Sequence, residues 1–200
     1  FVFGIHFKRY SEMLTELVID QDGWLKGVEH NPSPNYEPRP ESTEIKLIVV
    51  HAISLPPGKY GGGFVDQFFT NRLDIDQDEY FEEIKDLRVS AHCFISRTGE
   101  MTQFVSFDDR AWHAGVSCWH GEPECNDFSI GIELEGCDDD AFESAQYQQL
   151  AALVSSLRKH YPAILAESIC GHSDIAPGRK TDPGPLFDWQ KLAQYMKNLP

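Results

Sequence analysis

A single α/β domain, with a mixed central β-sheet flanked by α-helices, is what this sequence predicts, and three observations carry the prediction. "EIKLIVVH" (Glu44–His51) and "DFSIGIELEG" (Asp127–Gly136) are β-branched, nearly continuous apolar runs, the pattern of strands inside a sheet. Tyr147, Leu150, Val154, Leu157 and Tyr161 recur at spacings of three and four, which marks one face of an amphipathic helix. "HCFISRTGEMTQFVS" (His92–Ser106) reads as a hairpin turning at Thr98-Gly99, so the sheet is mixed rather than wholly parallel.

The remaining elements follow in chain order. "FVFGIHFKRY" opens the chain without the pattern of a signal peptide, because His6, Lys8 and Arg9 interrupt it and no cleavage-like site follows. Met13 offers a natural start; on that reading residues 1–12 are a non-native extension and 13–200 form the domain. "HNPSPNYEPRP" (His30–Pro40) is a proline-rich arm expected along the surface. "SLPPGKYGGG" (Ser54–Gly63) is a breaker-rich loop, expected to be mobile, and two short helices fit between Phe64 and Leu87. A last helix is expected from about Leu186 to Leu199.

Composition excludes several classes. A chain of 200 residues with 41% hydrophobic content can bury one core, and no apolar run approaches the roughly 20 residues that span a bilayer. A formal charge of −15 argues against a nucleic-acid or anionic-membrane binder. Five cysteines (Cys93, Cys118, Cys125, Cys137 and Cys170) make an odd count without framework spacing, which points to reduced thiols and a cytoplasmic setting. Against the acidic background, Arg88, Arg110, Arg179 and Lys180 gather near the most unusual segments, as if to hold an anionic small substrate.

One segment carries more chemistry than a turn requires. "CGHSDIAPGRKTDPGP" (Cys170–Pro185) has six Gly or Pro among sixteen residues, yet contains His172, Asp174, Lys180 and Asp182. His51 ends an apolar strand, where α/β proteins tend to build sites. Two histidines from different elements and one carboxylate can hold zinc tetrahedrally with water in the fourth position. His51, His172 and either Asp174 or Asp182 supply that set, and spacing does not choose between the aspartates.

Other groups need weighing. Glu133 shares a strand face with Gly131 and Glu135, opposite the core face of Ile130, Ile132 and Leu134. A mid-strand carboxylate needs a cleft or a partner, and the small Gly131 leaves room for a ligand. A solvated strand face accounts for Glu135. "RAWHAG" sets Trp112 beside His113, suited to stacking on and hydrogen bonding to a sugar; ordinary aromatic packing is the alternative. "DIDQDEYFEEIK" (Asp74–Lys85) has Glu79 and Lys85 where a calcium loop needs Gly and Glu, so it reads as a turn into a helix. Cys118, His120 and Cys125 lack the paired spacing of a structural zinc site.

"LIVVHAISLPPG", "VSAHCFISRTGE", "RAWHAGVS", "CNDFSIGIELEG", "QYQQLAALV" and "GHSDIAPGRKTDPGP" occur in this order between about Gly23 and Trp189. Together they closely resemble the AmpD-type cytosolic 1,6-anhydro-N-acetylmuramoyl-L-alanine amidases, within the zinc amidase and peptidoglycan-recognition superfamily. The resemblance implies the amidase fold and one zinc ion held by His51, His172 and Asp182, leaving Asp174 to shape the loop. It implies Glu133 and Lys180 as catalytic residues, with Arg88 and Trp112 lining the substrate groove; His113 joins them as a substrate contact from its place beside Trp112. It also implies a monomeric cytoplasmic enzyme of muropeptide recycling that restrains β-lactamase induction. Two residues depart from the family pattern: Ala52 follows His51 where Asn is usual, and Glu124 stands where an arginine commonly precedes the Cys-Asn pair. A non-catalytic peptidoglycan-recognition module tends to lose metal ligands, which are all present here. An exported or phage-type amidase acting on intact wall is the other competing reading.

Overall fold

The computed structural model describes residues 17–199, so the extension assigned to residues 1–12 lies outside the described residues. Ten strands form along the chain: β1 (Glu29–His30), β2 (Tyr36–Pro38), β3 (Leu47–Ile53), β4 (Cys93–Ile95), β5 (Met101–Gln103), β6 (Asp109–Ala111), β7 (Cys118–Trp119), β8 (Glu122–Pro123), β9 (Ser129–Glu135) and β10 (Ile169–Gly171). Five α-helices accompany them: α1 (Phe64–Phe69), α2 (Phe81–Ile84), α3 (Ser144–His160), α4 (His172–Ile175) and α5 (Trp189–Lys197). Six strands make the central sheet in the order β1-β5-β4-β9-β3-β10. Only the β4–β5 hairpin is antiparallel, so the sheet is mixed as expected.

The two apolar runs become the centre of this sheet because both faces of β3 and β9 are covered. On one face Ile48, Val50, Ile130, Ile132 and Leu134 pack against Leu150, Leu153, Val154 and Leu157 of α3. On the other, Leu47 and Val49 meet Ala114, Phe128 and Ile175. A third cluster, built on Phe69, Phe81, Phe94 and Phe104, seals the end of that face beyond β4. The helix starts and stops have local causes. The Glu143 side chain and Gln146 form a capping box at the start of α3, and Arg158, Lys159 and His160 occupy its last turn. The Asp188 carboxylate accepts from the Lys191 amide at the start of α5. The hairpin turns through Ser96–Glu100, with Gly99 at φ +85°, a conformation glycine adopts without a Cβ clash.

Three segments behave differently from their sequence-based expectation. The proline-rich arm does not merely lie on the surface: Ser33 and Asn35 are buried and β2 pairs with β6. Arg39 drives its guanidinium inward to donate to the carbonyls of Phe107, Asn126, Asp127 and Ser129. Glu135, assigned to a solvated face, is buried, because β9 has parallel partners on both sides. Its carboxylate instead accepts from the backbone N–H groups of Gly61 and Arg97 at 2.5 and 2.9 Å. The Ser54–Gly63 loop is thereby tethered, and Tyr60 adds a hydrogen bond from its hydroxyl to Asp140.

Candidate active site

The carboxyl ends of three neighbouring parallel strands, β9, β3 and β10, carry the site. Across the β3–β9 ladder His51 pairs with Glu133, and across β3–β10 Val50 pairs with Gly171. His172, the next residue after Gly171, therefore stands level with His51, and Glu133, His51 and His172 form one row. Strands about 4.8 Å apart deliver such a row without any long side chain having to reach. The chain then leaves β10 through α4 and returns to bring Asp182 over the row.

Four side-chain atoms decide what the row can do. Nδ1 of His51 and Nδ1 of His172 are 3.0 Å apart, and each lies 3.1 Å from Oδ2 of Asp182. These three residues are the group able to hold a metal among the described residues. Four-coordinate zinc with bonds of about 2.0–2.1 Å sets its ligands about 3.3 Å apart, so the triangle fits that ion with little movement. Proton bookkeeping supports a cation there. Nε2 of His172 is 3.0 Å from the carbonyl oxygen of Ala114, which can only accept, so Nε2 carries the proton and Nδ1 offers its lone pair to the triangle. Burial pushes the His51 imidazole below its ordinary value, which keeps a ligand nitrogen free. Asp174 takes no part: its carboxylate accepts from the Gly171 amide and closes the first turn of α4.

The fourth atom is Oε2 of Glu133, buried without a hydrogen-bond partner among the described residues. Burial raises the Glu133 carboxyl well above its ordinary value; nearby Asp182 raises it further and the Lys180 ammonium works in the opposite sense. The indole Nε1 of Trp112 is likewise buried without a partner. Both residues line one groove of about 550 Å³ together with His51, Tyr80, Lys180 and Asp182. An unsatisfied acceptor and an unsatisfied donor in one groove are groups awaiting a ligand's polar atoms. A larger hollow of about 900 Å³, lined by Phe64, Met101 and Gln149 among others, holds none of these groups.

The other residues singled out from the sequence fare unevenly. His113 is not free to meet a sugar: Nδ1 is 2.9 Å from Nε2 of His51, and Nε2 is 3.1 Å from Oγ of Ser129. The room left by Gly131 belongs to the His113 ring rather than to a ligand, since a Cβ there would overlap the imidazole. Arg88 donates to the backbone carbonyls of Lys85 and Leu87 and lines a small separate depression, while its neighbours Leu87 and Val89 line the groove. Arg110 is occupied by Glu37, Asp127 and Glu124, and Arg179 by the carbonyls of Ala114 and Val116, whereas Lys180 lines the groove near enough to Glu133 to act on its carboxyl. Ala52 lines the groove, whereas Glu124 sits outside it beside Arg110. Cys118 is exposed and Cys125 buried, and all five cysteines are free thiols.

Comparison with known proteins agrees with the geometry. The family described as N-acetylmuramoyl-L-alanine amidase matches residues 41–185. The 1,6-anhydro-N-acetylmuramyl-L-alanine amidase AmpD of Escherichia coli (strain K12) is 56% identical over 172 residues, covering 86% of this chain and 93% of that protein. The protein of the same name from Haemophilus influenzae is 49% identical over 177 residues, 88% of this chain and 96% of its own length. A crystal structure of an AmpD selenomethionine derivative superposes with a TM-score of 0.86 at 54% identity, covering 89% of this chain and 98% of that one. The amidase AmiD of E. coli, in complex with the substrate anhydro-N-acetylmuramic acid-L-Ala-D-γ-Glu-L-Lys, superposes with a TM-score of 0.56 at 31% identity. That match covers 90% of this chain and 65% of AmiD's.

Proposed function

The chain belongs to the N-acetylmuramoyl-L-alanine amidase family, as one of its AmpD-type members, and from that premise we propose how its groove works. It is an amidase that hydrolyses the lactyl-amide bond between 1,6-anhydro-N-acetylmuramic acid and L-alanine of muropeptides. In our reading one zinc ion is held by His51, His172 and Asp182, Glu133 is the general base and acid, and Lys180 is the oxyanion donor. The observation that carries this reading is the convergence of Nδ1, Nδ1 and Oδ2 within 3.0–3.1 Å beside an unpartnered carboxyl oxygen.

Zinc held by this set supplies Lewis acidity, which polarises a carbonyl and lowers the pKa of water from 15.7 to about 7. Glu133 takes the proton of the water that attacks the lactyl carbonyl, then returns it to the departing alanine nitrogen. Its raised pKa suits a group that must keep that proton between the two steps. The Lys180 ammonium donates to the carbonyl oxygen as it gains negative charge. Trp112 offers its indole face to the sugar and its Nε1–H to a substrate acceptor. Arg88 and His113 are left out of the substrate contacts, because Arg88 lines a separate depression and both ring nitrogens of His113 are hydrogen-bonded.

We assign the reaction to the cytoplasm and to a monomer; free thiols at all five cysteines suit a reducing compartment. Among the described residues no helix is long and apolar enough to cross a membrane. Turnover of anhydro-muropeptide, with and without a zinc chelator and against intact sacculi, tests the reading. Chelator-sensitive cleavage that favours the soluble substrate is expected; faster cutting of the intact polymer would overturn the recycling assignment.

A further inference from the structure

His51 differs from His172 in what stands behind it. The outer nitrogen of His172 faces the Ala114 carbonyl at 3.0 Å, nearer than the Arg179 guanidinium at 3.4 Å, and that acceptor sets the ring's tautomer. The outer nitrogen of His51, Nε2, faces another imidazole, the Nδ1 of His113 at 2.9 Å, and an imidazole nitrogen can either donate or accept. On its own that contact leaves open which nitrogen of His51 carries the proton. If Nδ1 carried it, donating to Oδ2 of Asp182 at 3.1 Å, the lone pair needed in the ligand triangle would be lost.

The far end of the chain of contacts resolves the choice. Nε2 of His113 is 3.1 Å from Oγ of Ser129, and Oγ of Ser129 is 2.5 Å from the carbonyl oxygen of Cys125. That carbonyl can only accept, so the Ser129 hydroxyl donates to it and presents a lone pair to His113. Nε2–H of His113 then donates to Ser129, which leaves Nδ1 of His113 as an acceptor. Nε2–H of His51 donates to that acceptor, and Nδ1 of His51 faces His172 and Asp182 with its lone pair free. All three side chains are buried, and Ser129 is fully so at the anchored end. Two further features hold His113 in place. Gly131, on the neighbouring strand β9, has no Cβ to collide with its ring, and Oδ1 of Asn126 accepts from the backbone N–H groups of His113 and Ala114.

We propose that His113 and Ser129 form a one-way hydrogen-bond relay, anchored on the Cys125 carbonyl, that fixes the tautomer of His51 and so prepares it as a metal ligand. His113 is thus a positioning residue and not a substrate contact. The proposal rests on the zinc reading for its purpose, but the proton placement can be measured separately.

Long-range proton–nitrogen NMR of the wild-type protein reads the tautomers directly. The proton of His113 is expected on Nε2, with or without zinc; a proton on Nδ1 overturns the relay. Zinc affinity, measured by competition with a chromophoric chelator, supplies the second reading. His113→Phe removes the acceptor while keeping a ring of similar size, and is expected to weaken zinc binding about 10–100-fold. His113→Asn puts its Oδ1 near the position of Nδ1 and is expected to recover most of that loss. A folded His113→Phe protein with wild-type zinc affinity would sink the proposal while leaving the amidase reading intact. Wild-type protein without zinc affinity would instead sink the metal reading, and the tautomer measurement would still decide the relay.

Discussion

Glu133 is the register partner of His51 across the β3–β9 ladder, so a carboxyl group and a ligand imidazole stand side by side on adjacent parallel strands. Two neighbours in one row have separable roles if one holds metal and the other moves protons. Glu133→Ala is expected to keep zinc and lose turnover by at least about 10²-fold. Asp182→Ala removes the only carboxylate of the triangle and is expected to lower zinc content after dialysis. Metal analysis of both purified variants checks the assignment; comparable zinc loss in the two would show that Glu133 is a ligand instead.

Lys180 shares the groove with Glu133 and opposes the rise in its pKa. As an oxyanion donor it acts on the transition state, so Lys180→Met is expected to lower kcat about 10²–10³-fold with little change in KM. Steady-state kinetics on an anhydro-muropeptide separates the two constants. A variant that raises KM and spares kcat would make Lys180 a substrate anchor.

The burial of Glu133 has a cost in stability whose sign can be worked out. Its folded-state pKa is raised, so between its ordinary value and that raised value the folded protein binds more protons than the unfolded chain. Stability from this group is fully present at low pH and declines as pH rises. Glu133→Gln abolishes the decline, so the zinc-free variant should be more stable than wild type at pH 8 and lose that advantage near pH 4. Denaturant unfolding at the two pH values checks it, and an unchanged difference would place the carboxylate in a better-solvated setting than its burial indicates.

His92 acts in the opposite direction. Burial, helped by the nearby Arg39 guanidinium, lowers its pKa from 6.5 to about 3. Its Nδ1 accepts from the Gly131 amide and its Nε2 donates to the Asp109 carbonyl, a pattern only the neutral ring satisfies. Below pH 6.5 the unfolded chain takes up a proton that the folded protein refuses, so stability falls as pH falls. Between pH 6.5 and pH 5 this group removes about 2 kcal/mol. His92→Asn retains an acceptor for Gly131 and is expected to show a shallower loss over that interval in urea unfolding. An identical slope in both proteins would assign the acid sensitivity elsewhere.

How much of this was legible in the residues depends on the range over which each signal acts. The runs that became β3 and β9, the periodic face of α3 and the Thr98-Gly99 turn are local patterns, and they emerged as read. β1, β2, β6, β7, β8 and β10 are two or three residues long, too short to show alternation, and exist because a partner edge is present. The burial of Glu135 and of the arm that carries Arg39 escapes the sequence for a related reason. The groups that satisfy them, the Gly61 and Arg97 amides and four backbone carbonyls, come from distant segments. His113 beside Trp112 suggested a sugar contact. What decides its role is the missing Cβ of Gly131 and the hydroxyl of Ser129, which no spacing within "RAWHAG" reveals. The two aspartates after His172 were equivalent by composition, and α4 separates them by taking Asp174 as its own cap.

Gly131 offers the most direct mechanical test of how the sheet holds this arrangement. It faces the His113 ring from β9, and a Cβ built there would lie far inside contact distance of the imidazole carbons. The ring cannot simply retreat, since both its nitrogens are hydrogen-bonded and its surroundings are buried. Gly131→Ala must therefore displace His113 or spread β9 from β3, and forced overpacking of this kind typically costs about 1–3 kcal/mol. A displaced His113 also withdraws its support from His51, so zinc affinity should fall along with the unfolding midpoint. Gln148→Gly, on the exposed face of α3, serves as a control: a helix-interior glycine costs up to about 1 kcal/mol, enough to lower the midpoint with no reason to alter metal affinity. Thermal unfolding and chelator competition on both variants give the comparison. Equal zinc affinities in the two would mean that the ligand row does not depend on the space this glycine leaves.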